Sequence, residues 1–230
     1  MTNKKLIVFC GGGGKYNYSL GILSVLQKKF DLSNYYFSGA SSGSFLALLA
    51  TMGHSADDFF ENWNIRLLSD INTYRIGPLF VWNSKIREYT KDFLPKETYQ
   101  KVNDRLFIQI TCFPSFSGKL VSNWENDDDL IDTLVATSFI PILDYGCITA
   151  NYCGNRYIDG GISNNCPKPD MEFSNILEVT PGRWSVMPKN SFWCLYGEDE
   201  PRKLYEMGKD DAIQNLEEIS KILGETIKID

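Results

Sequence analysis

Three short stretches carry residues that could do chemistry: GGGGK from Gly11 to Lys15, GASSG from Gly39 to Gly43, and RYIDGG from Arg156 to Gly161. GASSG fits G-x-S-x-G, a pattern that puts a serine on a sharp strand-to-helix turn with its hydroxyl exposed. Ser41 is that serine, and Gly39 and Gly43 leave room for close neighbours. The N–H of Ser42 then lies at a helix start, where donors are unpaired and negative charge is favoured. A helix start built of small residues, with no chemistry, would read the same way. The run Gly11, Gly12, Gly13, Gly14 can converge backbone N–H groups on an anion, as a phosphate cradle or an oxyanion hole. A P-loop needs Ser or Thr after its lysine, and Lys15 is followed by Tyr16. The dinucleotide fingerprint fails as well, because its third glycine would fall on Tyr16. An oxyanion hole opposite Ser41 fits better than either, beside the bland alternative of a glycine-rich turn.

A serine nucleophile needs a base. The one histidine, His54, follows Ser41 by 13 residues at the far end of the helix that Ser41 opens. At 1.5 Å per residue it stands roughly 20 Å away, outside hydrogen-bond reach. A triad of the α/β-hydrolase order also needs its histidine last, and none follows position 54. A carboxylate must serve instead. Asp159 ends an apolar strand, and Gly160 and Gly161 let another backbone approach it closely. An ordinary aspartate, with a pKa of ~3.9, is a weak base, and partial burial raises it. The competing reading is a plain turn, for which Asp-Gly is a common signal. The acidic run Glu125 to Asp129 reads as a solvated helix start.

These residues must be held by elements, and the chain opens with two βα units. LIVFC (6–10) and YYFSG (35–39) read as strands, each followed by a helical pattern, 18–30 and 42–53. Helices are also expected at 55–63, 82–95 and 127–138, and strands at 105–113, 119–124, 156–161, 175–181 and 191–197. A long closing helix is expected from Arg202 to Leu223. Alternation of strands with helices predicts an α/β fold: a mostly parallel central sheet with helices on both faces. No repeat or linker interrupts it, so residues 1–230 read as one domain.

The 230 residues, 43% of them hydrophobic, can bury one substantial core. A net charge of −6 argues against a nucleic-acid partner, which needs a basic face, and against purely electrostatic docking on anionic membranes. Cys10, Cys112, Cys147, Cys153, Cys166 and Cys194 show no C-x-x-C spacing, so with one histidine a zinc site is not expected. The apolar run at 6–10 is too short for a signal-peptide core, and no stretch reaches the ~20 apolar residues of a transmembrane helix. The expectation is a soluble, intracellular, cytoplasmic protein with reduced thiols.

Taken together and in this order, the glycine-rich loop, G-x-S-x-G and the D-G-G of Asp159 resemble the patatin-like phospholipases. The stretches ATSFIPILDYG and GNRYIDGGISNNCP look most like the branch containing adipose triglyceride lipase, and the separation of 118 positions from Ser41 to Asp159 suits that branch. The resemblance covers about residues 5 to 225. It implies a three-layer α/β fold and a Ser–Asp dyad without histidine, in which Ser41 is the nucleophile and Asp159 the general base. Gly12, Gly13, Gly14 and the Ser42 N–H would form the oxyanion hole. No metal or cofactor is implied. The implied substrate is a lipid acyl ester at a membrane or lipid-droplet surface, with the enzyme peripheral to it. A transacylase on the same site and a catalytically silent lipid- or partner-binding module are the alternatives. Tyr16 departs from the family, which usually has glycine there.

Overall fold

The computed structural model describes residues 4–74, 81–141, 146–189, 191 and 199–228. The chain runs β1 (Lys5–Phe9), α1 (Tyr16–Lys29), β2 (Tyr35–Ala40), α2 (Gly43–Met52) and α3 (Ala56–Phe59). A π-helical turn (Phe60–Asn64) leads into α4 (Ile65–Asn72), then α5 (Trp82–Phe93), α6 (Thr98–Val102), β3 (Leu106–Cys112) and β4 (Gly118–Val121). After these come α7 (Asp127–Thr137), β5 (Ala150–Tyr152), β6 (Asn155–Ile158) and β7 (Asn175–Val179). The chain closes on α8 (Asp199–Gln214) and α9 (Leu216–Leu223).

Among the described residues one sheet has the hydrogen-bonded order β5-β6-β3-β2-β1-β7, with β4 on β3. The expected parallel pairing holds for β7, β1, β2 and β3. β4, β5 and β6 join antiparallel. Short turns make that possible: Cys153 and Gly154, both at positive φ, reverse the chain from β5, which the sequence reading did not anticipate, into β6. β1 reads as a continuous apolar run because both of its faces are covered. Ile7 and Phe9 enter the main core, whereas Leu6, Val8 and Cys10 pack with Tyr36, Cys166 and Phe173 on the opposite side. α2 is buried from Gly43 through Thr51, which matches its unbroken apolar sequence and makes it an interior helix.

Two further expectations change, and a third falls outside the described residues. The closing helix breaks at Asn215, whose side-chain amide and backbone N–H both donate to the Asp211 carbonyl, so α8 ends and α9 starts anew. The strand expected at 191–197 lies outside the described residues, apart from Ser191. The thiols are not all reduced: β1 delivers Cys10 beside Cys166, with Cα atoms 4.6 Å apart, and the two form a disulfide. Cys112, Cys147 and Cys153 are free. No described helix is long and apolar enough to cross a membrane.

Candidate active site

β3 explains how Ser41 and Asp159 meet. The N–H of Phe37 donates to the Arg105 carbonyl, and that of Phe113 to the Arg156 carbonyl. Backbone groups alternate edges along a strand, so both bonds leave the same edge of β3. β2 runs up that edge as far as Ala40, in register with Gln109, and β6 runs down it, with Ile158 opposite Thr111. The two strand ends therefore converge on Gln109. The residue after each is Ser41 on one side and Asp159 on the other, and Ser41 Oγ donates to Asp159 Oδ2 at 2.6 Å.

The glycines permit this convergence. A Cβ on Gly160 would lie 1.9 Å from the Gln109 carbonyl, so only glycine lets the aspartate's loop press against β3. A Cβ on Gly43 would fall 2.2 Å from the Phe9 carbonyl, and one on Gly39 would fall 2.6 Å from the Gly43 carbonyl. The two motif glycines thus seat the start of α2 on β1 and β2.

Ser41 has φ of 52°, the left-handed region that side chains disfavour. Its N–H donates to Thr137 Oγ1 at 2.9 Å, and the N–H of Ser44 donates to its carbonyl at 3.0 Å. Thr137, fully buried, passes its own hydroxyl hydrogen to the Gln109 carbonyl. On the other side, Asp159 Oδ1 accepts the Gly161 N–H at 2.8 Å, and its backbone carbonyl accepts Thr111 Oγ1 at 2.8 Å. Burial pushes the Asp159 carboxyl up to about 6, against the hydrogen bonds from Ser41 and Gly161 that favour its charged form.

The glycine loop stands over the same serine. Gly13, at φ 55°, lines both hollows that open at Ser41, and Ser42 lines one of them. The Gly12 N–H donates to Ser42 Oγ at 3.2 Å, tying the loop to the start of α2. Gly14 is buried and its carbonyl accepts Asn17 Nδ2 at 2.8 Å. His54 sits past the far end of α2 with its ring against Phe93, centroids 5.6 Å apart, remote from Ser41.

Two spaces meet at the serine. One is a narrow hollow of ≈ 40 Å³ walled by Tyr16, Phe45, Trp63, Leu67, Trp82 and Ile86. It is almost wholly apolar, as a hydrocarbon site must be. The other is an open cleft of ≈ 480 Å³, where Lys15, Asp159, Asn165 and Pro181 stand around the serine. Tyr16 forms part of the apolar wall, with its hydroxyl donating to Asn64 at the end of the π-helical turn. Asn64 donates on to Asn17 at 2.6 Å, so Tyr16 is absorbed into a buried network behind the loop.

Thr111, Thr137 and Asn165 carry no motif of their own, and sequence reasoning assigned them nothing. Their only signal is their place: Thr137 and Asn165 fall inside the two stretches, ATSFIPILDYG and GNRYIDGGISNNCP, that carry the resemblance.

A family model described as "Patatin-like phospholipase" matches residues 7–169. The 1-acylglycerol-3-phosphate O-acyltransferase Pnpla3 of Mus musculus is 30% identical over 54% of this chain and 30% of its own length. Patatin-like phospholipase domain-containing protein 2 of Mus musculus is 30% identical over 80% of this chain and 39% of its own. This chain therefore spans about a third of the length of these relatives. Among solved structures, VipD from Legionella pneumophila superposes with a TM-score of 0.59 at 13% identity, over 94% of this chain and 67% of that one, a likeness of fold.

Proposed function

The chain belongs to the patatin-like phospholipase family, and on that premise we propose that it is a lipid acyl-ester hydrolase working through a Ser41–Asp159 dyad. The observation that carries this is the 2.6 Å contact between Ser41 Oγ and Asp159 Oδ2 at the junction of an apolar hollow and an open cleft. Asp159 takes the Ser41 proton as Oγ attacks the ester carbonyl. The resulting oxyanion is met by backbone N–H groups of the glycine loop, Gly13 foremost, and of Ser42 at the start of α2. Collapse expels the alcohol, which recovers the proton from Asp159, and leaves the acyl group on Ser41. Water activated by Asp159 then releases the acid. The acyl chain enters the apolar hollow as its side-chain walls part, and the leaving alcohol and incoming water use the cleft.

A dyad of this kind has a defined pH dependence. Asp159 must be ionised to accept a proton, so protonation removes activity as pH falls through about 6. The kcat/KM profile of the wild type is expected to show a single acidic limb there. A limb near the ordinary aspartate value of ~4 would mean that the base is not held in this buried site.

The loop makes a separate demand. A Cβ on Gly12 would sit 2.8 Å from Pro181 Cγ, so Gly12→Val must push the loop away from Ser42. Loss of one oxyanion donor typically costs ~10²–10³ in rate. Gly12→Val is expected to lower kcat by that order while lipid binding in a vesicle flotation assay changes little. Weakened binding with unchanged kcat would assign the loop to headgroup recognition instead.

Acyl transfer to an alcohol acceptor is the second reading, favoured by the acyltransferase name of the mouse relative and by a cleft open enough to admit an alcohol in place of water. Mass spectrometry of products formed with a lysolipid or glycerol present separates the two. Free fatty acid as the dominant product supports hydrolysis, and a new acylated acceptor supports transfer.

A further inference from the structure

The oxyanion loop and the aspartate's loop come from opposite halves of the chain, yet the reaction needs them in fixed relation to one Ser41 oxygen. One residue spans the gap. Asn165 Nδ2 donates to the Gly11 carbonyl at 3.1 Å, and the Asn165 carbonyl accepts the Gly11 N–H at 3.3 Å. The third polar atom of Asn165 faces the site. Oδ1 lies 2.7 Å from where a Cβ would stand on Gly11, and 2.7 Å from where one would stand on Gly161. The Gly161 position is also 3.0 Å from Asp159 Oδ1, so the amide and the carboxylate occupy one small space. Asn165 lines the open cleft together with Ser41 and Asp159.

We propose that Asn165 is a positioning residue that locks the glycine loop to the loop of the catalytic aspartate, and so sets the distance between oxyanion donors and base. This rests on the hydrolase reading above, in which both loops act on Ser41. Gly11 has no side chain to hold it, so its position is set by what grips its backbone, and Asn165 grips both its N–H and its carbonyl. The neighbouring Cys10–Cys166 disulfide joins the same two segments covalently. It holds them near one another when the amide is removed, but it does not fix the orientation of the Gly11–Gly12 peptide. Loss of the amide is therefore a loss of alignment, and misalignment of reacting groups by about 1 Å can cost ~10²-fold in rate.

Two variants test this in the disulfide-bonded protein, with a short-chain ester as substrate and fluorophosphonate labelling of wild type as the control for the hydrolase reading itself. If wild type neither turns over nor labels, that reading fails; if it does both, the variants decide the role of Asn165. Asn165→Ala is expected to lower kcat ~10–10²-fold with KM nearly unchanged, since alignment is needed in the transition state more than for binding. Asn165→Asp keeps the shape, cannot donate to Gly11, and adds a carboxylate beside Asp159; Lys15 is the other charged group lining the cleft. It is expected to lower kcat and also to move the acidic limb of kcat/KM upward by ~1 pH unit, because a like charge disfavours ionised Asp159. The shift reports that position 165 stands beside Asp159; the fall in kcat at unchanged KM is what a purely structural role does not give. Unchanged kcat in either folded variant overturns the proposal. So does a loss that follows the drop in Tm, with KM rising in step and the limb of Asn165→Asp in its wild-type place. Should Asn165→Ala not fold, the isosteric Asn165→Asp decides on the same two readouts.

Discussion

Ser41→Ala is expected to abolish ester cleavage while leaving the protein folded. The chemical part is simple: among the described residues no other hydroxyl both bonds the Asp159 carboxylate and lines the apolar hollow, so loss of Oγ removes the attacking atom. A fall in kcat of ~10⁵ or more is the ordinary cost of deleting a nucleophile that works as part of a unit. The structural part follows from the backbone. Ser41 already sits at φ 52°, and alanine meets the same left-handed strain there as serine does. The bonds that hold this turn, from its N–H to Thr137 and from Ser44 to its carbonyl, belong to the main chain and survive. Asp159 loses one donor but keeps the Gly161 N–H, and its raised pKa lets it take up a proton at modest cost. Thermal melting should therefore show a Tm close to wild type alongside lost turnover. Substantial residual activity in a pure sample would remove Ser41 from the mechanism.

The second large effect separates a dyad from any arrangement that uses histidine. Asp159→Asn is expected to lower kcat by ~10²–10⁴, the usual worth of a positioned general base. The amide keeps the shape and can still accept the Gly161 N–H through Oδ1, but it cannot take the serine proton. His54→Ala is expected to leave kcat unchanged, because His54 stands past the far end of α2, packed on Phe93. Parallel measurement of kcat in the two folded variants is the check. Comparable losses would mean that His54 reaches the site by a path α2 does not allow.

Most of this site is legible in the sequence because it is written in short motifs. G-x-S-x-G specifies a turn, and the turn specifies the exposure of Ser41. The glycines before Lys15 specify a loop of bare backbone beside the serine, in which the fold engages the Gly11 N–H with Asn165 and the Gly12 N–H with Ser42. Exclusion of His54 needs only the length of a helix. What the sequence does not carry is the pairing of edges. That β2 and β6 share one edge of β3, and so bring Ser41 to Asp159 across 118 positions, depends on which way β6 runs. A strand of four residues entered through a turn at Cys153 and Gly154 leaves little trace of its direction. Thr137 and Asn165 were missed for a related reason: each acts through a single hydrogen bond or two to backbone far away in sequence, and a lone Thr or Asn has no pattern. The reduced state expected of the thiols failed on the same kind of information, since only the fold places Cys10 against Cys166. The break at Asn215 is a local competition for one carbonyl, which helical periodicity does not register.

The account rests on a serine made nucleophilic by a buried aspartate, and the most direct test is the site and pH dependence of covalent labelling. Wild-type protein treated with a fluorophosphonate should gain one adduct, located by peptide mass spectrometry on Ser41. The labelling rate should rise with pH through about 6, as Asp159 loses its proton, and should collapse in Asp159→Asn. An adduct on any other residue, or labelling of Ser41 at a rate indifferent to the loss of Asp159, would contradict it.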